Sequence, residues 1–173
     1  MARKQSRFGV SRRSFVGGAG ALSIGLAGFP AVLGAQAKAV KVGLIHPVTG
    51  FVAYNGQQSR LGATMAIEDV NKAGGIKSMG GAKLEALLGD SQSKVEVGVS
   101  EVEKMNEAGA SAFIGCFQSP VGIAATQAAA KYNTPFLIDV GASDQLVRRG
   151  LKNVFRLKPG FGRCVDDGIA ALG

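Results

Sequence analysis

The sequence predicts an α/β protein built on a doubly wound, mostly parallel β-sheet, the architecture of a Rossmann-like or flavodoxin-like lobe. From residue 38 onward, short apolar segments rich in β-branched residues alternate with longer amphipathic segments. This alternation is typical of β-α-β units, whose strands run parallel. Strands that are apolar along their whole length fit a sheet covered by helices on both faces. We expect one lobe at residues 38–158 and, at residues 159–173, the start of a further helix in a truncated chain.

Each element has its own sequence signal. The helical segments carry apolar residues at spacings of three and four, and the first two end at Gly74-Gly75 and Gly109, because glycine readily adopts the left-handed conformation that follows a helix. Pro120 suits the first turn of the third helix, so Ser119 before it is predicted to be the N-cap. The predicted strands are 40–45, 83–89, 112–115, 135–138 and 153–157, and the predicted helices are 57–73, 94–108, 120–131 and 163–172.

Residues 1–37 have the composition of a signal peptide. A basic segment precedes an uncharged segment rich in small and apolar residues, which ends in the small-x-small pattern Ala35-Gln36-Ala37. The pair Arg12-Arg13, with Phe15 two positions further on, is typical of the twin-arginine form. These features predict export by the twin-arginine translocase, cleavage near Ala37 and a periplasmic location. An uncleaved membrane anchor is the alternative, which the many glycines of the segment disfavour.

The charge distribution argues against a nucleic-acid partner. The chain has a net charge of +8, but residues 1–37 contain no acidic side chain. From Lys38 onward there are 15 basic and 12 acidic side chains, without a basic run. So small an excess of positive charge gives no electrostatic footprint for a phosphate backbone.

Small and polar residues follow the predicted strands at the edge where a ligand would bind. In a doubly wound sheet this edge is formed by the carboxyl ends of the strands, at the point where strand order reverses. Gln118 and Ser119 lie there, before a helix whose first amides lack intrahelical partners and suit an anion such as a carboxylate. The loop Val140-Gly141-Ala142 follows the next strand, and its small side chains would leave the backbone amides reachable. The alternatives are a mere cap at Ser119 and a mere turn at the loop, neither with a ligand role.

A secreted enzyme with a Cys–His pair is the alternative of another class. His46 and Cys116 would both follow neighbouring strands, so a base and a nucleophile are geometrically conceivable. However, His46 has no evident orienting partner in the sequence. Residues 38–173 also contain no G-x-S-x-G, P-loop or H-E-x-x-H motif. We therefore predict a protein that is not an enzyme and has no cofactor and no metal.

The remaining reactive side chains near these strands have structural interpretations. Cys116 and Cys164 are interpreted as two small buried apolar side chains, with a disulfide between them as the alternative. Asp139 is interpreted as an acid that braces its loop, with contact to a ligand ammonium group as the alternative.

Five segments of residues 40–159 occur in a characteristic order and spacing. They are VKVGLIHPVTGFVAYNG, AIEDVNKAGGI, FIGCFQS, AATQAAAKYNTPF and QLVRRGLKNVFRLKP. In these segments the chain is similar to the Leu/Ile/Val-binding family of extracytoplasmic solute receptors, the type I periplasmic binding proteins. The resemblance implies the first of two α/β lobes, joined by hinge strands, which close around a small solute and deliver it to the membrane permease of an ABC importer.

The same resemblance implies a set of ligand-binding residues. Ser119 corresponds to a hydroxyl that contacts a ligand carboxylate, and Val140 and Ala142 lie in the next ligand loop. Asn55 falls where relatives place a side chain, often aromatic, over the ligand. The predicted ligand-binding residues are Asn55, Gln118, Ser119, Val140, Gly141 and Ala142.

Two departures from the family pattern bear on the solute. Ala142 stands where amino-acid binders often have threonine, and Gln118-Ser119-Pro120 replaces a serine-rich run. The candidates therefore include amides, short carboxylic acids and aromatic acids as well as amino acids. Two further alternatives are a receptor lobe that serves a sensor and a stand-alone flavodoxin-like module for a nucleotide or a signalling partner.

Overall fold

The computed structural model describes residues 37–172, so the predicted twin-arginine leader, apart from Ala37, lies outside the described residues. All nine predicted strands and helices are present. Two 3₁₀ turns that the sequence pattern did not predict lie at Lys77–Met79 and Asp144–Leu146. The elements are β1 Val40–His46, α1 Ala53–Lys72, β2 Leu84–Asp90, α2 Val95–Glu107, β3 Ala112–Gly115, α3 Ser119–Lys131, β4 Phe136–Ile138, β5 Val154–Arg156 and α4 Phe161–Leu172.

Two helices begin at least two residues earlier than the sequence predicts. α1 begins at Ala53 rather than at residue 57, and its N-cap residue, Val52, has no polar side chain that would mark the start. The Val52 amide instead donates to the Ser93 hydroxyl at 3.5 Å. α4 likewise begins before residue 163, and the Gly162 amide donates to the Asp144 carboxylate at 3.0 Å. In both cases a residue distant in sequence supplies the acceptor, so a local pattern does not reveal where the helix begins.

All five strands are parallel, in the order β2-β1-β3-β4-β5. The chain runs from β1 outward to β2, crosses back to β3 on the other side of β1, and continues outward. The strand order therefore reverses between β1 and β3, which confirms the predicted doubly wound class. Ile45 of β1 pairs with Gly115 of β3, and Gly115 pairs with Ile138 of β4. The carboxyl ends of these three strands consequently lie at the same edge.

The main core lies between the sheet and the α2–α3 layer. Phe113 and Phe136 are fully buried there, and their ring centroids are 5.7 Å apart. α3 contributes small buried side chains, among them Ala125 and Ala129, so it packs closely on the sheet. The opposite face of β1 packs Leu44 against a smaller cluster beneath α1.

The α1 face of the sheet is covered less completely. Among residues 37–172, α1 contacts β1 and β2, while Ile114 and Leu137 are half-buried and Phe155 is exposed. An apolar groove of about 470 Å³ runs there between α1 and the sheet. α4 also carries exposed apolar residues four apart, including Val165 and Ile169. Within residues 37–172 we found no helix with the length and apolar character needed to cross a membrane.

Candidate ligand-binding site

The carboxyl edge of the sheet brings the segment after β3 against the segment after β4. The Asp139 amide donates to the Gly115 carbonyl at 3.2 Å, and the Gly141 amide donates to the Cys116 carbonyl at 3.0 Å. These two segments therefore form one continuous surface next to the point where strand order reverses.

Ser119 lies in this surface, but its predicted capping role is wrong. The N-cap of α3 is Gln118, which has extended backbone angles and makes no side-chain capping bond, and Ser119 is already the first helical residue. The Ser119 hydroxyl accepts a hydrogen bond from the Ser143 amide at 3.2 Å. Because Ser119 has entered the helix, its hydroxyl faces the neighbouring loop rather than the first amides of α3. The hydroxyl thus joins α3 to the loop after β4.

The first turn of α3 keeps donors that suit an anion. The four leading amides of a helix have no intrahelical partner, and the helix dipole adds a partial positive charge there. Pro120 has no amide hydrogen, so the donors of this turn come from its neighbours. Gln118, which is half-buried, has a side-chain oxygen that is buried and makes no hydrogen bond within residues 37–172. Gln118 therefore adds an unpaired polar group beside the helix start.

The loop Val140-Gly141-Ala142 is more constrained than its small side chains suggest. The Val140 amide donates to the Asp139 carboxylate at 2.8 Å, and the Gly141 amide is used by the Cys116 carbonyl. The expectation of reachable amides is therefore wrong at these two positions. The Ala142 amide donates no hydrogen bond within the described part of the chain. A Cβ on Gly141 would lie 2.9 Å from the Leu146 side chain and 3.2 Å from the Cys116 carbonyl oxygen, so the loop is closely packed here.

Asn55 is the predicted ligand residue that belongs to α1. It lies in the first turn of α1 and is exposed. Its carbonyl accepts the Ser59 hydroxyl at 2.9 Å, and no hydrogen bond in residues 37–172 joins it to α3 or to the loop after β4. The structure therefore places five of the six predicted residues in the segments after β3 and β4, and Asn55 in the helix that follows β1.

Asp90 organises the loop between β1 and α1, a role that the sequence analysis did not assign. Its carboxylate accepts the Val48 amide at 3.0 Å, the Thr49 hydroxyl at 2.6 Å and the Gln92 amide at 2.9 Å. Partial burial acts to raise the pKa of Asp90, but the hydrogen bonds from Thr49, Gln92 and Val48 together outweigh it and lower the pKa below its usual value. The signal in the sequence was an acid at the end of an apolar strand, far from the loop that it holds.

His46 and Asp139 form a pair at the floor of this edge. His46 Nε2 lies 2.7 Å from Asp139 Oδ2, and the side chains are 0% and 14% exposed. The expectation that His46 lacks an orienting partner is therefore wrong, and the brace role predicted for Asp139 fits its bonds to His46 and to its own loop.

The pair does not extend to a nucleophile. Cys116 is fully buried, and burial, with a smaller contribution from Asp139, raises the pKa of its thiol far above the ordinary value. No hydrogen bond joins its sulfur to His46 within residues 37–172. A thiolate attack at this position would therefore work against the environment. Both cysteines are free; Cys116 is buried as predicted, whereas the prediction of a buried side chain is wrong for Cys164, which is exposed. The described residues hold no cluster of three or more His, Cys, Asp or Glu side chains with a metal-binding arrangement.

An ion pair between Arg156 and Asp144, which we call the α4 clamp, ties the ligand loop to α4. Arg156 Nη2 lies 3.2 Å from Asp144 Oδ1, and Nη1 donates to the Ser143 carbonyl at 3.1 Å. The other Asp144 oxygen accepts the Gly162 amide. The Gly162 hydrogen bond and then the Arg156 guanidinium lower the pKa of Asp144. The Asp144 side chain therefore contacts both β5 and the start of α4.

Solved structures of solute-binding proteins share this fold. The branched-chain amino acid transporter substrate-binding protein LivJ of Streptococcus pneumoniae, in complex with isoleucine, is 26% identical, with a TM-score of 0.66 over 71% of this chain and 34% of that chain. A solute-binding protein of an ABC transporter from Rhodopseudomonas palustris BisB5, in complex with 3,4-dihydroxy benzoic acid, is 21% identical, with a TM-score of 0.65 over 78% of this chain and 37% of its own. The second likeness is one of fold.

Curated relatives include two proteins of Brucella abortus (strain 2308). Leu/Ile/Val-binding protein homolog 1 is 41% identical over 118 residues, which are 68% of this chain and 31% of the relative. Leu/Ile/Val-binding protein homolog 8 is 29% identical over 150 residues, 87% of this chain and 36% of the relative. The chain thus spans about a third of the length of these relatives. The family model described as "Periplasmic binding protein" matches residues 39–167, and on that match the chain belongs to the periplasmic binding protein family.

Proposed function

We propose that this chain is the first lobe of an extracytoplasmic solute receptor that captures a small amino-acid-like, amide or carboxylate solute and delivers it to the permease of an ABC importer. The observation that carries the proposal is the contact of the α3 start, with Gln118 and Ser119, with the loop after β4, next to the point where strand order reverses. In open α/β sheets ligands bind at this point. Membership of the periplasmic binding protein family supports the receptor class.

The carboxylate would occupy the start of α3. The unpaired amides and the dipole of the helix favour a negative charge there, and the Ser119 hydroxyl adds a donor once its proton turns toward the solute. Isoleucine and 3,4-dihydroxy benzoic acid, the ligands of the two structural neighbours, share a carboxylate and little else. Ala142 offers no hydroxyl for a second polar group. We therefore expect the solute class to include aromatic and short aliphatic acids and amides as well as amino acids.

Delivery would depend on a second lobe and on closure. One lobe covers one side of a small solute, whereas tight sites bury most of the ligand surface. Closure of two lobes would remove the solute from water, and the closed form would be the one that docks on the permease. Export by the twin-arginine translocase, cleavage near Ala37 and action in the periplasm belong to the same proposal.

A thermal-shift screen of the full-length protein tests this function. The panel contains isoleucine, leucine, 3,4-dihydroxybenzoate, 4-hydroxybenzoate, short carboxylates and the matching amides. A solute at about a hundred times its dissociation constant stabilises the folded state by about 2.7 kcal/mol, which shifts the unfolding midpoint measurably. Ser119→Ala should weaken the response to a carboxylate that binds.

A serine at the opposite edge of the sheet provides the matched control. Ser111 precedes β3 and is exposed, so Ser111→Ala should leave the response unchanged. A panel without any stabilising solute, or equal responses of the two variants to the solute that binds, would refute the proposal.

A further inference from the structure

The pair His46–Asp139 joins two strands that are not neighbours. His46 ends β1 and Asp139 follows β4, and β3 lies between these strands. The two residues are 93 positions apart in sequence, and their side chains meet beyond the carboxyl end of β3. His46 is the single histidine of the chain and is fully buried.

Asp139 connects this pair to the surface proposed to bind solute. Its second carboxylate oxygen accepts the Val140 amide at 2.8 Å, which sets the direction in which the loop leaves β4. The loop continues to Ser143, whose amide donates to the Ser119 hydroxyl. A continuous chain of hydrogen bonds and covalent bonds therefore runs from His46 to Ser119.

Packing alone does not explain a histidine at this position. An apolar side chain of similar volume would fill the space without burying polar atoms, whereas His46 Nδ1 is buried and makes no hydrogen bond within residues 37–172. Besides Asp139, the charged groups with a contact to His46 are Arg60, which donates to its carbonyl from α1, and Asp90, its partner in the register of β2. Among these side chains and Asp139, the histidine ring bonds to Asp139 alone. The hydrogen bond to Asp139, at the start of the loop after β4, is thus the contact that explains a polar side chain at position 46.

We infer that His46 is a positioning residue for solute binding: it holds Asp139 so that the loop 139–143 meets Ser119 in the geometry that receives the solute. The inference rests on the proposed function of the same site. His46 does not touch the solute; it restricts the loop, so the free protein already has the conformation that binds. Removal of the contact would weaken binding because the loop must then be ordered when the solute arrives.

Two substitutions at His46 distinguish a role in positioning Asp139 from a role in filling space in the interior. His46→Gln keeps a nitrogen donor that can reach Asp139, whereas His46→Leu keeps the bulk and removes the donor. Asp139→Ala removes the contact from the other side and serves if His46→Leu does not fold. All variants are made in the full-length protein, and folding is checked by thermal unfolding.

The first readout is amide hydrogen exchange, which does not need a solute. We expect His46→Leu and Asp139→Ala to raise exchange at the Gly141 and Ser143 amides about tenfold or more, the loss expected for a hydrogen bond to a charged group. Exchange at the Phe113 amide, which bonds to the Pro135 carbonyl at the other edge of the sheet, should not change. His46→Gln should match the unmodified protein.

The second readout is the dissociation constant for isoleucine and for 3,4-dihydroxybenzoate, measured by calorimetry. His46→Leu should raise the dissociation constant of the solute that binds about tenfold, and His46→Gln should leave it within about twofold of the value for the unmodified protein. The inference is overturned if His46→Leu leaves loop exchange or affinity unchanged, or if His46→Gln behaves like His46→Leu. Failure of the unmodified protein to bind either probe, when no other solute of the panel stabilises it, counts against the proposed function. Loop exchange that depends on the Nε2 donor then identifies His46 as a structural brace without a binding role.

Discussion

The close approach of α1 to the end of β1 gives the most direct test of the packing that shapes the site. Gly56 lies in α1, and a Cβ placed on it would be 2.5 Å from the Pro47 carbonyl carbon and would overlap the carbonyl oxygen. Ordinary contacts of this kind are about 1 Å longer, and a backbone carbonyl, unlike the tip of a side chain, cannot rotate away. Gly56→Ala therefore requires α1 to move away from the loop that begins with Pro47.

Gly62, two turns further along α1, is the matched control because a Cβ there would meet no atom within 4 Å. Gly62→Ala should stabilise the protein by about 0.8–1.0 kcal/mol, the difference in helix propensity between alanine and glycine. Gly56→Ala gains the same propensity term, but overpacking costs about 1–3 kcal/mol and more where backbone must shift. We expect a net loss of about 1–2 kcal/mol for Gly56→Ala, hence about 2–3 kcal/mol between the two variants.

Urea denaturation of the 173-residue chain, followed by circular dichroism, measures both free energies of unfolding. The slope with urea should be the same in both variants, so that a shifted midpoint reports stability. Equal stability of the two variants, or a Gly56→Ala protein more stable than the unmodified chain, would refute the argument that α1 is held against the Pro47 carbonyl.

Three further predictions follow from the site. Asp90→Asn should lower the free energy of unfolding at pH 7, and the difference from the unmodified protein should vanish as the pH falls through the acidic range. The reason is that the pKa of Asp90 is lowered in the folded state. Its contribution to stability is therefore present above the unfolded-state pKa of about 3.9 and is lost as the pH falls through the folded-state pKa. Urea midpoints measured between pH 2 and 8, a range around that pKa, would contradict this if both proteins changed in parallel. Alkylation of the folded 173-residue chain with N-ethylmaleimide, followed by mass spectrometry, should label Cys164 quickly and Cys116 only on unfolding, since Cys164 is exposed and Cys116 is buried. Rapid labelling of both cysteines would contradict the burial of Cys116 in the core. Gly160→Ala should increase amide hydrogen exchange in the first turn of α4, because a Cβ there would overlap both side chains of the α4 clamp. Gly168→Ala is the control and should not increase this exchange, because a Cβ there meets open space. Equal exchange in the two variants would show that the clamp does not hold the helix.

The fold could be predicted from local patterns because each strand and helix carries its own signal. Short apolar segments predicted the strands, and the glycines after α1 and α2 predicted where these helices end. The start of α1 could not be predicted in this way, since the acceptor for the Val52 amide is Ser93 of the loop after β2. The 3₁₀ turn at Asp144–Leu146 was also not predicted, and the side chain of Asp144 there is held by Arg156 and Gly162, which are distant in sequence.

The site could be predicted in its location and only partly in its contacts. Parallel strands place their carboxyl ends together, so the sequence alone brought Gln118, Ser119 and the loop after β4 to one edge. The partner of Ser119 is Ser143, 24 positions away, and no local rule selects it over the amides of α3. The partner of His46 depends on strand order, which brings β4 within reach of β1 across β3. Contacts of this kind follow from the topology, and the sequence pattern does not specify them.

A crystal structure of the full-length protein with the solute selected by the screen tests the central claim most directly. The account predicts one carboxylate oxygen of the solute within about 3.2 Å of Ser119 Oγ and of an amide in the first turn of α3, with the loop 139–143 alongside. A solute bound away from the start of α3, or one whose carboxylate faces away from α3, would contradict it.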